Sequence, residues 1–365
     1  MESGELKPEE ARNRNKLKES KPYVYEKILR LAEKYKRGES IAIIQFQYDY
    51  RCNFKCEHCS IKTFQGKETK RSFTIPDVKD LFRQADEMGL ARVTITGGEP
   101  LVFQDFDELV AAIDPEKFYI NCDTNGWLLT PERALHLKAI GVDRMQLSID
   151  SLDPAEHDAF RGAKGSHARA LRAIDAARDA GMDIFIQTVV TKERLHSEEF
   201  RKFLEFFNNK GIGVFVSYAK PVGAWEGNFS CLVDKEDMAF MEQLEREHKV
   251  FTHLTPGYGL KMGCISTKGM FSITQYGDVL PCPYIHVSVG NVFNEPLKDI
   301  VSRALGIKYF GEHVDTCLIA EDRPFIEKYI EGRVYGKPLP VPYFEVFTEE
   351  DRTITPFNLV PEVDF

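Results

Sequence analysis

Apolar and amphipathic stretches alternate along the first 222 residues of the chain. Short runs rich in Val, Ile, Phe and Tyr predict strands at 41–48, 91–98, 118–126, 144–150, 183–190 and 213–222. Helical patterns lie between them at 75–89, 105–113, 131–141, 166–181 and 197–211, and most of these end at a glycine. This alternation predicts an α/β fold with right-handed crossovers and a parallel sheet, whose functional loops lie at the carboxyl ends of the strands.

The pattern changes after residue 222. A charged helical stretch at 234–249 leads to a glycine-rich segment, and 268–282 has the pattern of a β-hairpin that turns at residues 276–278. A further helical stretch at 21–38 precedes the first strand. We therefore expect five units: an N-terminal helical extension (1–40), an α/β core (41–225), a connecting helix (226–262), a small hairpin-and-helix unit (263–335) and a tail (336–365).

Composition and charge narrow the class of protein. A chain of 365 residues with 43% hydrophobic content can bury a large core, and it contains no internal repeat. The first twenty residues lack the apolar segment of a signal peptide, and no apolar run reaches the ~18 residues of a membrane span, which predicts a cytoplasmic protein without a membrane part. The net charge of -9 argues against nucleic acid as a partner. In a reducing compartment, eight cysteines favour metal ligation or redox chemistry over disulfides.

Three of these cysteines, Cys52, Cys56 and Cys59, follow the first predicted strand as Cys-x3-Cys-x2-Cys. Three thiolates on one short loop can bind three corners of a four-iron four-sulfur cluster and leave the fourth iron without a protein ligand. A structural zinc site would want four ligands, and His58 is poorly placed to join Cys56 and Cys59 on one metal. Unconnected burial explains one cysteine better than three at this spacing. The loop therefore predicts an iron–sulfur cluster with an open iron.

The cysteine loop and the segment "TGGEP" at 96–100 together resemble the radical S-adenosylmethionine superfamily over roughly residues 40–222. The resemblance implies a partial (β/α)6 barrel related to the TIM barrel, with S-adenosylmethionine bound to the open iron. Gly97 and Gly98 would let the backbone approach its methionine moiety, and Glu99, followed by Pro100, would accept a hydrogen bond from its ammonium group. Taken alone, this segment is equally typical of an ordinary strand-to-helix turn.

The resemblance implies further contacts to S-adenosylmethionine at the ends of the later strands. The ring of His58 would lie near the adenine, and Arg161 would pair with the carboxylate. Ser148 and Asp150 would be polar contacts, although Asp150 is equally suited to cap the next helix. Two more residues fall in segments that the family places at this site, Asn125 and Gln187.

A second group of cysteines lies in the C-terminal unit. Cys264, Gly277 and Cys282 give Cys-x12-Gly-x4-Cys, which resembles the auxiliary-cluster extension called SPASM or its shortened twitch form. With Cys317 they predict an auxiliary four-iron four-sulfur cluster, whose fourth iron is left to Cys231, to a histidine such as His286, or to the substrate. The alternative is that these are scattered core cysteines.

The resemblance implies a radical enzyme of oxidoreductase type. Electrons from a donor such as flavodoxin or ferredoxin would drive cleavage of S-adenosylmethionine, and the resulting 5′-deoxyadenosyl radical would take hydrogen from a substrate carbon. An auxiliary cluster that accepts an electron would make the outcome oxidative: dehydrogenation or bond formation. Residues 1–40 are short for a leader-peptide-binding domain, which favours a sugar-like or other small metabolite over the substrate of a peptide maturase.

Two other functions stay open at this point. A radical epimerase would use a cysteine thiol as hydrogen donor, and Cys231 and Cys317 are the candidates for this catalytic role. A non-catalytic iron–sulfur module would also keep clustered cysteines, but it would have no need of the "GGEP" segment on a neighbouring strand.

Overall fold

The structure, a computed structural model, describes residues 8–64, 70–255, 257 and 260–353. The first seven residues of the expected N-terminal extension and the last twelve of the expected tail lie outside them. The strands are β1 (Ile43–Asp49), β2 (Arg92–Gly97), β3 (Tyr119–Thr124), β4 (Arg144–Ser148), β5 (Asp183–Val190), β6 (Gly213–Tyr218), β7 (Val250–Phe251), β8 (Met270–Ile273), β9 (Asp278–Leu280), β10 (Val287–Ser288), β11 (Gly290–Asn291) and β12 (Val341–Pro342).

Helices cover the outside of the sheet and both ends of the chain. They are α1 (Pro8–Ser20), α2 (Pro22–Leu29), α3 (Leu31–Lys36), α4 (Ile75–Glu87), α5 (Phe106–Ile113), α6 (Pro131–Ala139), α7 (Pro154–Arg161), α8 (Ser166–Asp179), α9 (Lys192–Leu195), α10 (Glu198–Asn208), α11 (Lys235–Glu247), α12 (Leu297–Leu305), α13 (Lys308–Gly311), α14 (Arg323–Phe325) and α15 (Tyr343–Val346). Several begin at a capping side chain, as α4 does at Thr74, whose hydroxyl accepts from the Asp77 amide.

The six predicted core strands form a continuous parallel sheet in the order β1 to β6. Their helix-facing side chains, such as Phe46, Ile95 and Ile120, are fully buried. The partial (β/α)6 barrel expected from the sequence is confirmed, and the loops after the strands meet at one rim.

The N-terminal helices pack at the opposite end, where the strands begin. The sequence predicts one helix over 21–38, but the structure breaks it at Arg30 into α2 and α3. Lys27 and Lys34 then donate to the carbonyl oxygens of Leu90 and Met88, just beyond the end of α4. Carbonyl groups at a helix end lack intrahelical partners, so these lysines supply the missing donors.

The C-terminal unit continues the barrel sheet. Strand β8 pairs in parallel with β1, and β8 and β9 form the predicted antiparallel hairpin with Gly277 at φ +82° in its turn. Helix α12 is a helix of the kind expected in this unit.

Two of the expected units contain strands that the sequence analysis did not predict. The connecting segment contributes β7, which pairs in parallel with β6, and the described part of the tail contributes β12, which pairs with β10. These pairings use strand edges that would otherwise expose unpaired backbone groups, a feature that propensity in single segments does not reveal. Among the described helices, none is both long and apolar enough to cross a membrane.

Candidate active site

The loop that carries Cys52, Cys56 and Cys59 follows β1 at the rim. Partial burial and the nearby charges of Glu99, Cys56 and Cys59 raise the pKa of Cys52 to about 11. Three thiolates therefore repel one another here unless a cation neutralises them, and bound iron deprotonates its thiol ligands. The Arg161 guanidinium lies 4.0 Å from the Cys56 sulfur, on the same side of the loop. The donor set fits an iron–sulfur cluster.

The geometry separates a cluster from a single metal ion. Within the described ranges, no three Cys, His, Asp or Glu side chains converge on one point as ligands of one ion would. Each thiolate of a four-iron cluster binds a different corner of the cube, so convergence on one point is not required. The single-zinc interpretation is therefore disfavoured. All eight cysteines are free thiols.

Gly97 and Gly98 pack the end of β2 directly against the cysteine loop. The Gly98 amide donates to the Asp49 carbonyl at 2.9 Å, and a Cβ atom on Gly98 would lie 1.9 Å from the carbonyl oxygen of Arg51. Both glycines line the cavity described below. A side chain on Gly98 would therefore meet the chain's own backbone first, so the lack of a side chain here is required for the packing of the cysteine loop.

Gly98→Ala is therefore expected to displace the cysteine loop. Overpacking of this kind costs about 1–3 kcal/mol of unfolding free energy, and we expect the variant to bind less iron and to bind S-adenosylmethionine at least about tenfold more weakly. Denaturant unfolding, iron analysis and equilibrium binding measure the three effects. Gly332→Ala is the control, because its nearest neighbour would be the Glu327 oxygen at 4.0 Å. Unchanged iron content and affinity in Gly98→Ala would contradict the packing role.

Glu99 ties the ends of β2 and β3 together. It is 1% exposed, and its carboxylate accepts from the Thr124 hydroxyl at 2.6 Å, the Leu101 amide at 3.1 Å and the Asn125 amide at 2.8 Å. Burial raises the pKa of Glu99, and these hydrogen bonds oppose the rise. A carboxylate offers about four acceptor positions, so one is left for the predicted ammonium group.

Asn125 links the β3 rim to the cysteine loop, because its side-chain amide donates to Asn53 Oδ1 at 2.8 Å. Pro100 begins a short 3-10 turn and does not line the cavity. Its role in the "GGEP" segment is therefore structural.

Asp150 acts through Arg161. Its Oδ2 accepts from Arg161 Nε at 2.6 Å, and its Oδ1 accepts from the Val189 amide at 3.0 Å. Burial is the largest single influence and would raise the pKa of Asp150, but the charge of Arg161, together with those of His58 and Arg194 and the Val189 hydrogen bond, outweighs it and lowers the pKa to about 2. Asp150 does not line the cavity, and the cap of α7 is Asp153, so the helix-cap interpretation is wrong. Arg161 does line the cavity, with its guanidinium held by this buried ion pair.

Asp150→Asn is expected to destabilise the fold by about 3–5 kcal/mol, because it leaves a buried guanidinium without its partner. The folded pKa lies below the unfolded value of ~3.9, so the pair stabilises the protein above that pH and the contribution is lost as the pH falls towards 2. Urea unfolding at pH 7 should therefore show the full difference from the parent, with a smaller one near pH 3. Asp153→Asn, which keeps a capping side chain, should change stability by less than about 0.5 kcal/mol. Equal effects of the two substitutions would contradict the assignment.

His58 lies on an aromatic surface beside the loop. Its ring stacks on Phe160 at a centroid distance of 4.4 Å and lies 6.1 Å from Trp225. Burial lowers the pKa of His58 to about 3, so the ring is neutral at pH 7, and its Nδ1 has no hydrogen-bond partner among the described residues. A flat neutral ring on the cavity wall is compatible with the predicted adenine contact.

A cavity of about 600 Å³ extends from the rim into the barrel and connects the two cysteine groups. The sequence-predicted residues that line it are Cys52, Cys56, His58, Cys59, Gly97, Gly98, Glu99, Asn125, Ser148, Arg161, Gln187, Cys264, Cys282 and Cys317. Four predicted residues do not line it: Pro100, Asp150, Cys231 and His286.

The C-terminal cysteines Cys264, Cys282 and Cys317 all line this cavity. Burial raises the pKa of Cys317, the nearby Lys220 lowers it, and the charges of Cys264 and Cys282 raise it further. The three thiols are thus close enough to affect one another's ionisation, which favours one shared cluster over scattered core cysteines.

Cys231 and His286 are the two predicted candidates for the fourth iron that have other contacts. The Cys231 thiol donates to the Asn228 carbonyl at 2.9 Å, and the His286 ring packs edge-on against Phe64 at 4.8 Å. Neither residue lines the cavity. Of the three predicted occupants of the fourth iron, this placement favours the substrate.

The barrel interior was missed by the sequence analysis. Every second residue of the core strands faces the cavity, and these residues are largely polar: Gln45, Gln47, Thr94, Thr96, Asn121, Asp123, Gln146, Ser148, Gln187 and Ser217. Asn121 donates to Asp123 Oδ1 at 3.1 Å, and burial raises the pKa of Asp123 to about 7. The signal is present in the sequence as a period-two alternation of polar and apolar residues within the predicted strands.

Comparison with known proteins decides the family. The model of the radical SAM superfamily matches residues 47–207, which include the cysteine loop, the "GGEP" segment and strands β2 to β5. The chain belongs to the radical SAM superfamily. A second model, the SPASM iron–sulfur cluster-binding domain, matches residues 264–318, from the first to the last of the C-terminal cysteines. Membership implies a four-iron four-sulfur cluster with S-adenosylmethionine, and the SPASM domain implies auxiliary iron–sulfur ligation.

Relatives of this radical SAM chain differ in what they make. It is 28% identical over 300 residues to an AdoMet-dependent heme synthase of Nitratidesulfovibrio vulgaris, covering 73% of this chain and 80% of that protein. It is 29% identical over 286 residues to the mycofactocin maturase MftC of Mycolicibacterium smegmatis, covering 73% and 71%. The fold is similar to Streptococcus suis SuiB, solved with the precursor peptide SuiA, with a TM-score of 0.58 and 20% identity over 82% of this chain and 71% of SuiB.

Proposed function

We propose that this radical SAM protein oxidises a polar substrate held between two iron–sulfur clusters, through dehydrogenation or bond formation. When bound, the reduced first cluster and S-adenosylmethionine supply a 5′-deoxyadenosyl radical that takes hydrogen from a substrate carbon. The first cluster is assigned to Cys52, Cys56 and Cys59, and the auxiliary cluster to Cys264, Cys282 and Cys317.

The observation that carries the proposal is the shared cavity. Both cysteine groups line one space of about 600 Å³, a volume in the range of small-molecule sites, and polar side chains of the strands line its barrel end. A substrate in this space lies within reach of both clusters at once. Two unrelated metal sites would not need a common cavity.

The chain's own residues have distinct tasks in this scheme. Glu99 and Arg161 orient the charged groups of S-adenosylmethionine, and His58 supports the adenine. In a net oxidation, the hydrogen atom goes to the 5′-deoxyadenosyl group, one electron goes to the auxiliary cluster, and one proton goes to a base. Asp123 is a partly buried carboxylate on the cavity wall, and burial raises its pKa to about 7, near the range suited to that role.

The radical epimerase alternative needs a thiol that faces the substrate. Cys231 does not line the cavity, and its thiol already donates to a carbonyl oxygen. Cys317 faces the cavity but belongs to the group assigned to the auxiliary cluster. These placements support oxidation over epimerisation. The "GGEP" segment, which has no task in a non-catalytic module, supports an enzyme.

We infer a sugar-like or other small metabolite as substrate, since the cavity holds one small molecule beside S-adenosylmethionine. A ribosomal-peptide substrate is the second candidate, which the 29% identity to a mycofactocin maturase favours. A peptide would place one side chain in the barrel.

A size-fractionated cell extract tests both parts of the proposal. Anaerobic protein with S-adenosylmethionine and dithionite is mixed with fractions below and above about 1 kDa, and 5′-deoxyadenosine and product masses are followed. Stimulation by the small fraction, with a product two hydrogens lighter than its substrate, is expected. A product with the same mass as its substrate in H2O, but with one deuterium taken up in D2O, would indicate epimerisation instead. Stimulation by the large fraction alone would indicate a peptide substrate.

A further inference from the structure

A buried lysine lies between the barrel and the C-terminal cysteines. Lys220 follows β6, is 7% exposed and lines the shared cavity. Its ammonium donates to the Tyr218 carbonyl at 2.6 Å and to the Ser217 hydroxyl at 3.1 Å, and it lies 4.1 Å from the centre of the Tyr284 ring. All of these partners are neutral, so the charge itself is not compensated by them.

Two lysines whose side chains are similarly shielded from solvent are paired with carboxylates. Lys21 pairs with Asp143, and Lys27 pairs with Asp86 at 3.0 Å. For Lys220, no carboxylate of the described residues lies within ion-pair distance. A buried cation is costly without a negative partner, which points to an anionic group that binds in the cavity.

The candidate anionic partners of Lys220 are the thiolates of the C-terminal cysteines. The Tyr284 ring under Lys220 belongs to the residue whose amide donates to the Cys282 sulfur at 3.3 Å, and the Tyr284 hydroxyl is 3.1 Å from Ser217 Oγ. Burial raises the pKa of both Cys282 and Cys317, and the Lys220 charge opposes the rise at both thiols. Lys268 is a further cation near Cys264, but its ammonium donates to the carbonyls of Phe310 and Glu312 and does not face the cavity.

We propose that Lys220 is the counter-charge of the auxiliary cluster and raises its reduction potential. The inference rests on the proposed ligation by Cys264, Cys282 and Cys317. Reduction adds one negative charge to the cluster, and a nearby fixed positive charge stabilises that state, since net charge and hydrogen bonds to sulfur set such potentials. Lys220 therefore makes the auxiliary cluster a better electron acceptor. It is a positioning and tuning residue and takes no part in hydrogen transfer.

The test uses the full-length variant in which Cys52, Cys56 and Cys59 are all alanine, so that the auxiliary cluster is the one observed. Electron paramagnetic resonance measures the reduced fraction of the auxiliary cluster during a redox titration. The titration is done on this variant and on the same variant that also carries Lys220→Met. We expect the ratio of reduced to oxidised cluster at a given ambient potential to fall at least tenfold, which equals 59 mV for one electron. Lys220→Arg, which keeps the charge, should stay within about twofold of the parent.

A matched control separates charge at this position from charge in the cavity generally. Lys62→Met removes a lysine from the wall near Cys59 and should leave the ratio unchanged. If Lys220→Met does not fold, Lys220→Gln is used in its place, and circular dichroism checks that it is folded. A normal iron content with an unmoved potential would overturn the inference alone. A parent variant without any cluster would overturn both the inference and the proposed auxiliary ligation.

Discussion

Replacing Cys52, Cys56 and Cys59 together with alanine is expected to reduce release of 5′-deoxyadenosine to the background of a protein-free reaction. These three thiols are the proposed ligands of the cluster that delivers the electron to S-adenosylmethionine, and the neighbouring Arg161 and Glu99 cannot replace a thiolate on iron. The assay uses anaerobically reconstituted protein with a strong reductant and S-adenosylmethionine, and product is measured by chromatography.

The matched control variant also has three cysteines replaced with alanine. The variant with alanine at Cys264, Cys282 and Cys317 should still cleave S-adenosylmethionine, because those residues lie outside the loop that is assigned to the first cluster. Cleavage well above background by the first variant would refute the assignment of the loop after β1.

The second large effect concerns iron content. The variant that lacks Cys52, Cys56 and Cys59 is expected to keep about four irons per chain, since the C-terminal cysteines hold a separate cluster of the kind that thiolates bind. Their mutual influence on ionisation and their common position on the cavity wall support this result. Iron and sulfide analysis after anaerobic reconstitution measures it.

Removing Cys264, Cys282 and Cys317 as well should lower the count to near zero. Cys122→Ala serves as a control for loss of a thiol, because Cys122 is fully buried in β3 and does not line the cavity. An iron count near zero in the first triple variant would remove the auxiliary cluster and the case for oxidation, while the assignment of the first cluster would stand.

Most of the fold could be predicted because each element carries its own signal. The six core strands and the helices between them follow from local apolar patterns, and the hairpin follows from the turn at Gly277. The broken N-terminal helix could not be predicted in the same way. The positions of its two halves depend on tertiary hydrogen bonds: Lys27 donates to the Leu90 carbonyl and Lys34 donates to the Met88 carbonyl.

The sequence indicated which residues belong to the candidate site better than it indicated the role of each one. The roles of Asp150 and Gly98 depend on their partners Arg161 and Arg51, which spacing along the sequence does not reveal. The meeting of the two cysteine groups depends on the pairing of β8 with β1, whose register joins Ile43 to Met270. No local pattern encodes a contact between segments so far apart in sequence.

The polar barrel interior had a signal that was available. In β1, Gln45 and Gln47 alternate with the buried Ile44 and Phe46, and the same period recurs in β3 with Asn121. A strand buried on both faces in a parallel sheet usually reads as continuous apolar sequence, so this alternation indicates a hydrated or ligand-filled interior. It is the feature from which a polar substrate could have been inferred first.

The central claim is that S-adenosylmethionine binds to the cluster on the loop after β1 and that the auxiliary cluster serves the substrate. Electron paramagnetic resonance of the two reduced triple variants, with and without S-adenosylmethionine, tests it most directly. The cosubstrate should change the spectrum of the variant that keeps Cys52, Cys56 and Cys59 and leave the spectrum of the variant that keeps Cys264, Cys282 and Cys317 unaltered. A spectral change confined to the second variant would contradict the claim.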